Sequence, residues 1–180
     1  MAASRFATFL ETFDPDPKTR STQWEHVCKW FLETDPVYRA QLKKVWLWNK
    51  WPNKWGPDAG IDLVAQANNG TYWAIQAKAY APDNTVTKQD MDTFLAESGR
   101  PECAHRLLIA TTRHVSPFAT LASKAAEKQV RMLLRHDLDH RKGLVVAGGP
   151  ASRGEPWAEF VKLTMPIQLL SLSGRRICGG

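Results

Sequence analysis

Two strand-forming runs, Ile61-Asp62-Leu63-Val64-Ala65 and Tyr72-Trp73-Ala74-Ile75-Gln76, flank the turn signal Asn68-Asn69-Gly70. β-Branched and aromatic residues favour a pleated backbone, and a glycine suits the left-handed position of a tight hairpin. The segment therefore predicts an antiparallel hairpin, and a hairpin has a register. Centred on Asn69, it sets Asp62 opposite Gln76, Leu63 opposite Ile75 and Ala65 opposite Trp73. Side chains alternate across a strand, so Ile61, Leu63, Ala65, Trp73 and Ile75 form one apolar face. Asp62, Gln76 and Lys78 share the other. A slip of one residue would exchange the faces, so this register constrains fold and chemistry together.

Helical signals surround the hairpin. Residues 6–17 read as one helical turn and a loop. Ser21 or Thr22 then offers an N-cap, with Glu25 near the third helical position. Trp24, Val27, Cys28, Phe31 and Leu32 recur at helical spacing, and the pattern stops before Asp35-Pro36. A second helical pattern covers residues 37–47. Helices are expected over 88–96, with Met91, Phe94 and Leu95 inward, and over the Ala-rich 117–128. Strands are expected at 106–112 and 130–134. Residues 143–154 form a Gly- and Ala-rich connection, 157–163 a last helix, and 171–180 a tail with few signals. The order helix, hairpin, helix, strand, helix, strand predicts an α/β sandwich with a central mixed sheet.

Between Trp46 and Trp55 the composition changes. Trp46, Trp48, Trp51 and Trp55 alternate with Asn49, Lys50, Asn53 and Lys54 around Pro52. Such a loop can stack on a nucleic-acid strand, but most of its rings are expected to pack over the core while the lysines stay solvated. Lys50 and Lys54 are the candidates there for contact with nucleic acid. Lys88 and Gln89, opening the helix after the hairpin, are further candidates for a phosphate at a helix N-terminus.

Bulk properties narrow the class. A chain of 180 residues, 43% hydrophobic, suits one folded domain rather than a disordered segment. No apolar run is long enough to cross a bilayer, and the N-terminus lacks a secretion signal, so a cytoplasmic protein without a membrane partner is expected. Cys28, Cys103 and Cys178 have neither disulfide-framework nor zinc-ligand spacing. A net charge of +6 with pI near 9.4 is compatible with a polyanionic partner, although the basic residues are spread out.

The polar face of the hairpin suits phosphodiester hydrolysis. That reaction needs an activated water and compensation for charge developing on phosphate, which Mg²⁺ held by hard oxygens can supply, with Mn²⁺ as a substitute. Asp62 offers a carboxylate, Gln76 a carbonyl oxygen, and Lys78 a cation to orient water or stabilise charge. One acid is a thin ligand set, and Glu25, off the apolar stripe of its helix, is the best second.

These residues carry a resemblance. Glu25 on a leading helix, Gly56-Pro57-Asp58-Ala59-Gly60-Ile61-Asp62-Leu63 and Ile75-Gln76-Ala77-Lys78 resemble the PD-(D/E)XK nuclease superfamily. More narrowly they resemble its Mrr-like restriction endonuclease domains, in which Gln stands for the second acid before x-Lys. The strand Tyr72-Trp73-Ala74-Ile75-Gln76, with Phe94-Leu95-Ala96-Glu97-Ser98-Gly99 and Leu108-Ile109-Ala110-Thr111-Thr112, is similar to the N-terminal nuclease domain of Type ISP restriction-modification enzymes. The similarity covers residues 22–138.

The resemblance implies a restriction-endonuclease-like three-layer α/β/α sandwich. It implies a metal-dependent DNA endonuclease with catalytic Asp62, Gln76, Lys78 and Glu25, the metal being held by Asp62, Gln76 and Glu25. It also implies helicase-type translocase and methyltransferase modules in a parent enzyme, and a transient dimer for double-strand cleavage. This chain is then expected to be an isolated or truncated nuclease domain over residues 1–165, with 166–180 as a tail. Asp58, which follows Pro57 in the motif's literal opening, is the backup acid beside Asp62. A rival reading is a catalytically idle nuclease-like fold that binds nucleic acid or docks a partner.

Other features point to no chemistry. His136-Asp137 and Asp139-His140 read as a solvated polar loop, and His105 and His114 as surface residues. Residues 143–149 lack the Gly-Lys-Ser/Thr ending of a P-loop, and Ser116 and Ser123 lack a nucleophile elbow.

Overall fold

In a computed structural model of the chain, residues 5–57 and 60–140 are described. Asp58, Cys178 and the elements expected over 143–180 lie outside the described residues. The chain divides into two compact units, Pro15–Leu138 and a smaller one of Met1–Asp14 with Asp139–Gly180. In the smaller unit α1, Arg5–Glu11, is a longer helix than the single turn expected, and the Phe9 and Phe13 rings meet edge to face at 5.1 Å.

The larger unit opens with α2, Pro17–Thr34. Its cap is Asp16, not Ser21 or Thr22: the Asp16 carboxylate accepts from the Thr19 amide at 2.9 Å, and Pro17 occupies the first turn. Proline there loses no helical hydrogen bond and brings its backbone angle already set, so the helix begins earlier than its apolar stripe suggests. Asp35 closes α2 and caps the short α3, Pro36–Arg39.

The helix expected over 37–47 is overturned beyond α3, because Leu42–Leu47 is strand β1. Its partner explains the change: β1 pairs antiparallel with β2, Leu63–Ala67, joining Val45 to Ala65 and Leu47 to Leu63. Tertiary pairing here overrides a helical spacing that the isolated segment displays.

From Leu63 onward the hairpin register is as the turn predicts, but the expected pairing of Asp62 with Gln76 is not part of the ladder, because the Asp62 amide bonds to the Ile75 carbonyl instead. Strand β3, Tyr72–Lys78, pairs with β2 as Leu63 to Ile75, Val64 to Ala74 and Ala65 to Trp73. At the turn Ala67 N–H donates to the Thr71 carbonyl at 2.8 Å, and Gly70 takes a φ of +88°. Parallel pairings then add β5, Cys103–Ala110, beside β3, and β7, Val130–Leu133, beside β5. The five-stranded mixed sheet has the order β1-β2-β3-β5-β7. Two short strands, β4 (Thr85–Val86) and β6 (His114–Val115), form a separate parallel pair.

Helices cover the sheet, as the α/β sandwich required. Met91 and Phe94 of α4, Lys88–Glu97, join Ala119 of α5, Pro117–Ala125, and Val64, Ala74 and Leu108 in one buried cluster. Trp24 of α2 donates its indole N–H to the Ile109 carbonyl at 3.3 Å. Leu63, Ile75 and Leu107, which alternate with the residues of that cluster, are fully buried too. The central strands are therefore buried on both faces, and the hairpin's expected polar face is polar only at its end.

Two glycines offer a stability test. Gly60 and Gly70 have positive φ, +83° and +88°, where a side chain is strained. A Cβ at Gly70 meets open space, whereas one at Gly60 lies 3.0 Å from Thr93 Cγ2. Gly70→Ala should cost about 1 kcal/mol by strain alone, and Gly60→Ala about 2 kcal/mol or more, read by urea unfolding. Equal effects would mean the Thr93 contact yields freely.

Candidate active site

The β2–β3 ladder ends where the candidate site begins. Asp62 N–H donates to the Ile75 carbonyl at 3.0 Å, one residue out of step with the pairing of Leu63 to Ile75. The next amide, Ala77 N–H, finds its acceptor in the Asp62 carboxylate, Oδ2, at 2.6 Å. On the other side Trp48 N–H donates to the Asp62 carbonyl at 2.8 Å. Asp62 is thus held by the backbone of β3 and by that of Trp48, just past β1, while its side chain replaces a ladder carbonyl.

Gln76 is nearly fully buried. Its Nε2 donates to the Gly60 carbonyl at 3.1 Å, and its Oε1 is enclosed with no hydrogen-bond partner. A buried unpartnered carbonyl oxygen costs about 1–3 kcal/mol unless something else meets it. Gly60 lies beside this amide, and a Cβ there would stand 3.7 Å from Gln76 Nε2, an ordinary contact.

Glu25 and Asp62 line one cavity of about 220 Å³, with Trp48, Asn49, Lys54, Gly56, Pro57 and Ile61. Cys28 is buried nearby. Burial pushes its thiol well above the ordinary value, and the charges of Asp62 and Glu25 push it further. The structure therefore brings the two acids together. Gln76 and Lys78 are not among the residues lining this cavity. Among the described residues no group of three His, Cys, Asp or Glu is placed to hold a metal.

Lys78, at the end of β3, is three-quarters buried, and its Nζ lies 3.4 Å from Asp90 Oδ1 on α4. Asp90 was not singled out by sequence, although Thr87-x-x-Asp90 spells a capping box at the start of α4. Burial tends to raise the Asp90 carboxyl, but hydrogen bonds from Thr87 and Tyr80 and the Lys78 charge hold it below its usual range. The Tyr80 hydroxyl is pushed far up by burial and by its bond to Asp90, so it stays a neutral donor.

The remaining candidates sit on the surface. Lys50, Lys54, Lys88 and Gln89 are exposed; Lys54 Nζ donates to the Asn49 carbonyl at 3.3 Å, and Lys88 pairs with Asp92 one helical turn on. The tryptophan loop is mostly core: Trp48 and Trp51 are buried, and their rings lie 4.9 and 5.4 Å from that of Trp55. Ser116 caps α5 through a bond from the Ala119 amide, and Ser123 is buried. His136 and Asp137 belong to α6, Arg135–Asp139, rather than to a loop, because the Asp137 carboxylate accepts from the Leu134 amide and caps the turn.

A mixed sheet whose antiparallel hairpin carries an acid and Gln-x-Lys, with helices on its faces, defines a restriction-endonuclease-like nuclease domain. A family model described as restriction endonuclease, of the Mrr catalytic type, matches residues 33–142, and the chain belongs to that family. Among solved structures it is similar to an ATP-dependent Type ISP restriction-modification enzyme, LlaBIII, bound to DNA. The TM-score is 0.64 at 26% sequence identity, over 78% of this chain and 9% of that one. No curated protein matches. None of the described helices is long and apolar enough to cross a membrane.

Proposed function

We propose that this chain is a Mg²⁺-dependent DNA endonuclease domain of a restriction system, with Asp62, Glu25, Gln76 and Lys78 as its working residues. The observation that carries the reading is that Asp62 and Glu25 line one cavity, while on the neighbouring strand Gln76 Oε1 is left buried without a partner. Two carboxylates and an amide oxygen are hard donors that suit Mg²⁺, with Mn²⁺ able to replace it, while the nearby Cys28 stays a neutral thiol and a poor ligand. Bound there, the ion would activate water and offset phosphate charge.

The chain's own residues do the rest. Asp62 and Glu25 would hold the ion, and Gln76 would add its carbonyl oxygen. Lys78 would orient the attacking water or stabilise charge building on the phosphate oxygens. Asp58 stays a backup acid. Lys54, on the cavity wall, and Lys50, Lys88 and Gln89 on the surface would meet the DNA backbone. We take the endonuclease domain to span residues 1–165 of a cytoplasmic protein. Because the chain spans only 9% of its Type ISP neighbour, helicase-type translocase and methyltransferase modules are the proposed partners, with a transient dimer for double-strand cleavage.

The test is nicking of supercoiled plasmid. Wild type should cleave with Mg²⁺ and stop on adding EDTA, and Lys78→Ala should lose about 100-fold or more in rate with its fold intact. Metal-independent cleavage, or full activity in Lys78→Ala, would overturn the assignment. The second reading, an idle nuclease-like fold that binds DNA or docks a protein, draws on the lack of a three-residue metal cluster among the described residues. DNA retention without cleavage under any metal would select it.

A further inference from the structure

We propose that Asp90 is the positioning residue for Lys78, locking its ammonium in place through the cap of α4. This rests on the endonuclease reading, since Lys78 matters there for chemistry. The carboxylate divides its work between its two oxygens. Oδ2 accepts from the Thr87 amide at 2.9 Å, the Thr87 hydroxyl at 2.8 Å and the Tyr80 hydroxyl at 2.8 Å. Three donors fix that oxygen, and with it the plane of the carboxylate. Oδ1 is then turned to Lys78 Nζ, 3.4 Å away, with both side chains largely buried.

The geometry suits positioning better than a purely structural ion pair. A charge-assisted bond that fully engaged the ammonium would be about 2.7–2.9 Å long, whereas this pair is looser. An ammonium has three donors, and a single carboxylate oxygen engages no more than one well, so others remain for water or a phosphate oxygen. The anchor is also stiff. Asp90 belongs to a reciprocal capping box, its own amide donating back to Thr87 Oγ1 at 3.2 Å. By contrast, Lys88–Asp92 is a helix-surface contact with about half of each side chain exposed, and Lys29–Glu33 is a pair within one helix, one turn apart. Tyr80 and Lys78 leave the end of one strand together, and Asp90 gathers both.

The test compares Asp90→Asn with Asp90→Glu. Asparagine keeps an acceptor oxygen for the cap but removes the charge, while glutamate keeps the charge and is the usual partner in a capping box. In Mg²⁺-dependent DNA cleavage, Asp90→Asn should lower kcat by about 10–100-fold with KM within about twofold, and Asp90→Glu should recover most of it. The second readout is the Lys78 ammonium signal in ¹H–¹⁵N NMR, which should sharpen when the group is held. It should be present in wild type and Asp90→Glu, and broadened in Asp90→Asn. Wild-type protein that fails to cleave would defeat the endonuclease reading, and the NMR comparison would still decide the anchoring. Unchanged kcat in Asp90→Asn while Lys78→Ala is inactive, or an unchanged ammonium signal, overturns the proposal.

Discussion

Replacing Asp62 by Asn is expected to reduce DNA cleavage by at least about 1000-fold, some 4 kcal/mol of transition-state stabilisation, while leaving the fold in place. The choice of Asn follows from the geometry. Asp62 Oδ2 accepts the Ala77 N–H at 2.6 Å, where the ladder between β2 and β3 has run out of backbone acceptors. Asn retains an oxygen for that amide but removes the negative charge. Ala would remove both, leaving a buried donor unmet at about 1–3 kcal/mol, so its lost activity could be lost structure. Rates should be read beside thermal melting of both variants. Asp62→Asn that melts like wild type and cleaves like wild type would end the assignment of Asp62 as metal-holding acid. Low activity in Asp62→Ala alone would mark the residue as a strand terminator.

The second large effect concerns stability. Trp51→Ala should cost about 3–5 kcal/mol, read by denaturant unfolding, because the ring is 3% exposed and packed on three others. Its centroid lies 5.6 Å from Trp48, 5.4 Å from Trp55 and 5.4 Å from Tyr72. These tilted and edge-on contacts belong to a core, and the exposed Arg100 covers the Trp55 ring at 4.3 Å. A ring stacking on DNA would behave oppositely: its loss would spare stability and weaken DNA binding. Lys54→Ala is the control, being exposed and expected to change stability by less than about 0.5 kcal/mol. A stable Trp51→Ala with weakened DNA binding would return the loop to a nucleic-acid role.

Much of the fold was legible because its signals are local. The pairing of Leu63 with Ile75 and of Ala65 with Trp73 follows from one turn and a period of two. The helix from Lys88 follows from its apolar spacing, and the buried strand around Leu107–Ala110 from its uninterrupted run. Elsewhere distant partners decide. Lys44, Val45 and Trp46 stand within a stretch with helical spacing, but β2 offers them an edge to pair with, and they become strand. The apolar stripe marks the start of α2 too late, because Asp16 and Pro17, which begin the helix, lie ahead of it.

The hairpin and the register of its paired residues follow from local residue pattern alone, and with them the placement of Asp62 and the Gln-x-Lys run at the same end of two strands. The sequence also carries the membership of the Mrr-type restriction endonuclease family, since the match lies in the residues themselves. Which other side chains join them is a matter of how the elements pack. Packing places Glu25 on the same cavity as Asp62, leaves Gln76 Oε1 enclosed without a partner, and turns Asp90 toward Lys78. Alternation and turn chemistry act over a few residues and can be read along the chain. Contacts between residues 25 and 62, or 78 and 90, depend on how a helix is laid against a sheet, which packing fixes and no local pattern spells.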